Sequence, residues 1–305
     1  MDRIDELQNL IKEDPSNFQA MRELAVALLE IGENEEALKN LFYLVGIFPE
    51  DARLHYNIGI IWEKFRSNDK AIESYKKALN INPHEADFMY NLACAYVQKK
   101  EYTKALALFE QVIEIDPEDS NSFFHVGLIF SRLNKSNDAI KALEKTIELN
   151  PKDFIARFYL GYEYKRTGEV KKAIKEYESV IENQPDYSWA YFNLASIYWE
   201  QGDVENAITN LDKTIKINPK DIDASKLYSQ VLSSQGLNIE ALEVLQAALE
   251  QNPVSGDLYY YMAQIFNKLG DKGNYEKYLK LTLNNHSNLS FHAKYVKKEL
   301  EKIKA

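Results

Sequence analysis

Five histidines, a single cysteine and 47 acidic residues are the groups in this chain that could bind a metal, attack a carbonyl or move a proton. Their spacing supports none of these chemistries. His84-Glu85 opens an H-E-x-x-H pattern, in which two histidines one helical turn apart would hold zinc and the glutamate would act as base. No second histidine follows on that face. His55, His125, His286 and His292 are too scattered for one helix to present them as ligands. With Cys94 alone, neither an intramolecular disulfide nor a cysteine-based metal cluster can form, and a reducing compartment fits. G-x-G-x-x-G, P-loop and C-x-x-C sequences do not occur. Carboxylates at i, i+3 and i, i+4 spacing are what a solvated helical surface carries. The expectation is a chain that is not an enzyme, with no cofactor and no metal. N-x-S sequons at Asn134, Asn285 and Asn288 are too short a motif to carry an argument.

A different regularity organises the chain. Its prolines, Pro15, Pro49, Pro83, Pro117, Pro151, Pro185, Pro219 and Pro253, all step by 34 residues, four of them within an I/L-N/D-P stretch such as Ile81-Asn82-Pro83. Proline lacks an N–H and disfavours helix for the residue before it, so the array reads as helix ends at a fixed period. With each proline at position 32 of a 34-residue unit, repeats start at Phe18, Ala52, Ala86, Ser120, Phe154, Ser188, Ile222 and Gly256. Position 20 is then alanine from Ala37 to Ala241, and position 8 is Ala, Gly or Ser. Position 11 is large, from Leu28 and Trp62 to Phe266. Small residues let two helices approach while large ones fill the space beside them. Positions 4, 7, 8 and 11 form one helical stripe and 20, 24, 27 and 28 a second, so each unit is two antiparallel helices. Gly32, Gly168, Gly202, Gly236 and Gly270 hold position 15, where a left-handed helix end suits glycine. Asn134 tolerates that conformation. Arg66 and Lys100 do so less readily, and the sequence specifies their turns less well.

Length and charge narrow the partners. At 305 residues and 45% hydrophobic content the chain can bury a large core, which the repeat distributes over stacked units in one continuous rod. A net charge of −10 argues against nucleic acid, which needs clustered Lys and Arg, and leaves proteins as the expected partners. The start, MDRIDELQNLIKED, has no apolar signal region, and no 18 apolar residues run together. Cytoplasmic localisation without direct membrane insertion is expected.

The column pattern, down to Tyr90, Asn91, Leu92, Ala93 and Tyr96, closely resembles the tetratricopeptide repeat (TPR) family over residues 18 to 286. The resemblance implies an all-α, right-handed superhelical solenoid of antiparallel helix pairs whose first helices line a concave groove. We expect a single solenoid over 1–305, with about eight repeats. Residues 1–17 make an N-terminal capping half-repeat, with Ile4, Leu7, Leu10 and Ile11 on one face. Residues 18–289 make eight repeats, the last degenerate because Tyr275 and Ser287 replace its small residue and proline. Residues 290–305 make a C-terminal capping helix, with Ala293, Val296, Leu300 and Ile303 inward and solubilising lysines elsewhere.

In the family, positions 2, 5, 6, 9, 12 and 13 line the groove. Here that selects the aromatics Tyr90, Phe124, Phe158 and Phe192 and the asparagines Asn57, Asn91 and Asn193. The aromatics also have a packing role between helices. An asparagine amide both donates to and accepts from an extended peptide backbone, although His125 and Tyr159 interrupt that ladder. The fourth to sixth repeats add His125, Arg132, Tyr159, Tyr162, Lys165, Arg166, Trp189 and Trp199, residue types that serve as binding anchors. The expected ligand is an extended or helical peptide with apolar anchors and an acidic residue opposite Arg132, Lys165 and Arg166. The carboxylate clamp of chaperone-binding members is missing: the best triplet offers Arg22 and Asn57 but places Val26, Asp87 and Asn91 at the other positions. The expected function is a scaffold or adaptor for a protein or peptide partner. The alternatives are a homo-oligomer assembled through terminal helices, the N-terminal half-repeat in particular, or the targeting array of a larger enzyme or complex.

Overall fold

The computed structural model describes residues 3–304; residues 1, 2 and 305, at the outer edges of the expected caps, lie outside the described residues. The chain divides into two compact units, Met1–Asp153 and Phe154–Ala305. Among the described residues the regular structure is helical throughout. The first unit holds α1 (Arg3–Glu13), α2 (Phe18–Ile31), α3 (Asn34–Ile47), α4 (Ala52–Lys64), α5 (Asn68–Ile81), α6 (Ala86–Gln98), α7 (Tyr102–Ile115), α8 (Ser120–Arg132) and α9 (Ser136–Leu149). The second holds α10 (Phe154–Thr167), α11 (Val170–Asn183), α12 (Ser188–Glu200), α13 (Val204–Ile217), α14 (Ile222–Ser234), α15 (Asn238–Gln251), α16 (Gly256–Lys268), α17 (Lys272–Asn284), a 3-10 turn (His286–Asn288) and α18 (Lys294–Lys304). Each 34-residue repeat is one helix pair, and within each unit every pair packs on the next.

Close approach of the two helices in a pair sets the core. The position-20 alanines, Ala37, Ala71, Ala105, Ala139, Ala173, Ala207 and Ala241, have no exposed surface at all. Opposite them, residue size is traded between positions 8 and 24. A Cβ added at Gly59 would lie 2.4 Å from the Tyr75 ring, and one at Gly161 would lie 3.0 Å from the Tyr177 ring. Beside the smaller Leu41 and Phe109, position 8 is Ala25 and Ala93, while in the fourth repeat Gly127 lets Leu143 come equally close. The packing stays dense.

Local signals define the helix ends. Asn17, Asp51, Asp119, Asp221 and Ser255 end the inter-repeat turns and accept first-turn backbone N–H groups of α2, α4, α8, α14 and α16. At position 15 the structure overrides the local preference of Arg66 and Lys100, while Asn134 takes the conformation it tolerates. Arg66, Lys100 and Asn134 adopt φ of 55, 60 and 58°, the same left-handed region that the glycines occupy. The reason is one backbone bond. Ser67, Glu101 and Lys135 donate their N–H to the carbonyls of Trp62, Tyr96 and Phe130 at 2.8–2.9 Å, matching Glu33 to Leu28 in a glycine turn. Tight packing of the helix pair holds that closure whatever side chain sits at the turn.

The last repeat departs from the pattern with a purpose visible in its contacts. Tyr275, in place of the usual alanine, donates its hydroxyl to Glu299 of α18 at 3.0 Å, as do Tyr260 at 2.9 Å and the Gln264 amide at 2.9 Å. Val296 and Leu300 bury against the same cluster as Tyr275. The 3-10 turn that replaces the proline is pinned by Asn288 to the Val254 carbonyl, and Ser290 N–H donates to Asp257.

Two outcomes follow from this packing. Combining Arg66→Gly with Lys100→Gly should raise the melting temperature, because each site sheds the left-handed cost of about 1–2 kcal/mol against the ~0.5–1 kcal/mol entropy of glycine. The two core tyrosines should differ on conversion to phenylalanine. Tyr75 donates to Glu63 at 2.9 Å, so its loss should cost about 1–2 kcal/mol in chemical denaturation. The Tyr177 hydroxyl is buried without a hydrogen-bond partner among the described residues, so Tyr177→Phe should be neutral or stabilising.

Candidate functional site

In the first unit, the expected site residues lie on α4, α6 and α8, and most are engaged by their neighbours. Asn91 donates its amide to the Tyr56 hydroxyl at 2.7 Å. Tyr90 meets Phe109 and His125 edge-on at 5.6 Å each, and His125 stacks flat on Phe109 at 5.3 Å. Phe124 flanks His125 at 5.8 Å, and the His125 Nε2 lies 4.0 Å from the Cys94 Sγ. Burial holds the His125 pKa below its ordinary value; the Asp119 charge opposes this and Arg132 reinforces it. Burial also pushes the Cys94 thiol up to about 12, with the Glu63 charge adding to it, so Cys94 stays protonated and is a poor nucleophile. These residues form a wall. Asn57 and Arg132 are different: Asn57 lines a cavity of about 330 Å3, and Arg132 is exposed.

The second unit carries its expected residues on α10 and α12. Phe158 packs on Tyr159, Tyr177 and Tyr187 with ring centroids 5.6, 5.7 and 5.3 Å away. Lys165 is bound to Ser196 at 2.8 Å and to Glu200 at 2.9 Å. Arg166 pairs at 3.0 Å with Glu163, which is fully buried, and lies over the Tyr162 ring. Two of the three cations expected to face an acidic ligand, Lys165 and Arg166, are thus paired within the protein. Asn193 turns its amide back to the Trp189 carbonyl on its own helix. Trp199 is half-buried and packs, as Phe192 and Tyr198 do, against the cluster of Ala195, Ala207, Leu211 and Val231, so much of its surface serves the core. Trp189 and Tyr162 remain open, at 50% and 41% exposure, with Trp189 edge-on to Phe192 at 6.5 Å.

Sequence reasoning passed over a second opening in this unit. A cavity of about 360 Å3 lies between α14 and α16, lined among others by Gln230, Ser233, Tyr260, Tyr261, Gln264 and Lys268. These occupy the same repeat positions that selected the other residues; the signal was present, but the fourth to sixth repeats, with their tryptophans and arginines, outweighed Tyr260 and Tyr261. Among the described residues, no group of three or more His, Cys, Asp or Glu is placed to hold a metal ion, and no helix is long and apolar enough to cross a membrane.

Tetratricopeptide repeat family models match residues 1–52, 66–122, 120–153 and 190–221, and a TPR repeat model matches residues 161–202. The chain belongs to the tetratricopeptide repeat family. The TPR array accounts for the helix pairs, the alanine column and the left-handed turns. No curated protein matches this TPR chain significantly. Solved structures do. YrrB, described as a TPR protein, is 27% identical with a TM-score of 0.53, over 60% of this chain and 95% of YrrB. MamA from Desulfovibrio magneticus RS-1 is 23% identical with a TM-score of 0.53, over 56% of this chain and 97% of that one. PilF of Pseudomonas aeruginosa is 19% identical with a TM-score of 0.60, over 71% of this chain and 97% of PilF. The last two share the fold alone.

The His125 environment gives the TPR wall a pH dependence. Burial holds the folded His125 pKa below the roughly 6.5 of an unfolded histidine, so below about pH 6.5 the unfolded chain binds more protons than the folded one and stability falls as pH drops. Thermal melts at pH 7.5 and 5.0 should show a larger loss for wild type than for His125→Phe.

Proposed function

We propose that this TPR protein is a non-catalytic interaction scaffold that binds a peptide or helical segment of a partner protein on the face of its first helices. The observation that carries the reading is Trp189 on α12, half exposed, with the Tyr162 ring of α10 in the same unit also left open. Large aromatic surface left in water gains free energy when a partner covers it, and tryptophan and tyrosine are the side chains that most often anchor protein interfaces. Within the second unit the expected site includes Phe158, Tyr159 and Phe192 besides Trp189; Asn57 and Arg132 are candidates within the first unit taken by itself. YrrB, whose structure is described as having an unusual peptide-binding site, gives the reading a precedent in the same fold.

The internal pairing of Lys165 and Arg166 changes the expected ligand. An acidic residue opposite them would have to displace Glu200 or Glu163, so apolar anchoring on Trp189 and Tyr162 supplies more of the affinity than charge does. The test is a pull-down from native cell extract with wild type and a Trp189→Ala, Tyr162→Ala variant, each checked for helicity by circular dichroism. A protein recovered by wild type and lost from the folded variant supports the reading. Equal recovery by both would remove this face from the function.

A further inference from the structure

The cavity of the first unit lies outside the aromatic surface of the second and has a chemistry of its own. Its volume is about 330 Å3, and Val26, Leu54, Tyr56 and Phe88, from α2, α4 and α6, give it apolar walls. Val26 stands 38% exposed although its chain neighbours Ala25 and Ala27 are buried. Tyr56 stacks on Phe88 at 4.6 Å and its hydroxyl is held by Asn91, so this wall is fixed before any ligand arrives. Preorganised apolar surface of this kind binds without an ordering cost.

The polar groups around it divide into spent and unspent. Arg22 donates from Nε and Nη2 to Asp51 Oδ2 at 3.1 and 3.0 Å, while Asp51 Oδ1 caps α4 through the Arg53 N–H. That pair is neutral and committed. Glu85 occupies the same repeat position as Asp51 and Asp119 but makes no capping hydrogen bond. Asp87 stands in the first turn of α6, beside Glu85 at the rim of the cavity. Neither the Glu85 carboxylate nor the Asp87 carboxylate has a hydrogen-bond or ion-pair partner among the described residues, and the same holds for the Asn57 amide. Arg53 is the remaining charge on the lining. The Asp87 charge reaches the interior: after burial, it is the next cause holding the Tyr56 hydroxyl above its ordinary pKa. Two unspent carboxylates against one guanidinium leave the opening negative.

We infer that this cavity takes a lysine or arginine side chain of an extended peptide, with the aliphatic stem over Val26 and Phe88, the charged end between Glu85 and Asp87, and the Asn57 amide on the peptide backbone. Long cationic side chains suit such a place because the stem is apolar and only the tip needs a carboxylate. The inference rests on the reading that this chain binds peptides, and adds a subsite and its preference.

The probe is a positional-scanning library of acetylated, amidated nonapeptides, bound to wild type, to Glu85→Gln/Asp87→Asn, to Asp87→Lys and to Trp189→Ala/Tyr162→Ala. Expected is a Lys or Arg preference at one position, roughly ten-fold weaker binding of such peptides by the double amide variant, and a shift towards Asp or Glu with Asp87→Lys. Peptides that bind wild type and are lost from the Trp189 variant, yet show no Lys or Arg preference, would overturn the cavity inference and leave the aromatic reading standing. A Lys or Arg preference that survives unchanged in the double amide variant would likewise overturn it. No binding by any peptide would overturn both.

Discussion

Everything in this protein depends on how closely the two helices of a repeat approach. A methyl group at position 20, as at Ala71 or Ala173, leaves no room for solvent, and the facing position 8 shrinks to glycine wherever position 24 grows to tyrosine. A helix pair alone could not bury both of its stripes; stacking against the next pair does, and the shared clusters from Leu7 to Ile61 and from Ala71 to Ile129 show the core being completed between repeats. With the core confined between helices, the first-helix face keeps room for residues such as Trp189 and Tyr162 whose side chains packing leaves open.

That face is less open than its composition suggests. Asn91, Asn193, Lys165 and Arg166 all have groups capable of recognising a peptide, and each is already satisfied by a neighbour within the protein. A satisfied group contributes little net affinity, because a ligand must replace a bond of similar strength. Groups without such partners mark the better candidates: Trp189 and Tyr162 for apolar contact, Asn57 with Glu85 and Asp87 for polar contact. The same distinction explains Tyr275. Judged by the column it is a defect, yet its hydroxyl and that of Tyr260 hold Glu299 and thereby seat α18.

The sequence by itself determined the helices, their pairing and their ends. The 34-residue proline phase and the small-residue columns leave only one way to bury the apolar stripes, and every helix from α2 to α17 starts and stops where that phase requires. It was least informative at Arg66 and Lys100, where a local preference against the left-handed conformation lost to the backbone bond that closes the helix end. The candidate site was legible only in part. Repeat position identified which residues share the first-helix face, because facing is periodic. Whether a side chain there is free is not periodic: it depends on partners from neighbouring helices, as with Glu200 for Lys165, or from a core cluster, as with Trp199. Tertiary structure alone decided that Trp189 stays open while Trp199 is half-covered, and that Glu85 and Asp87 keep their carboxylates uncommitted, because those outcomes are set by distances between helices that no single stretch of sequence contains.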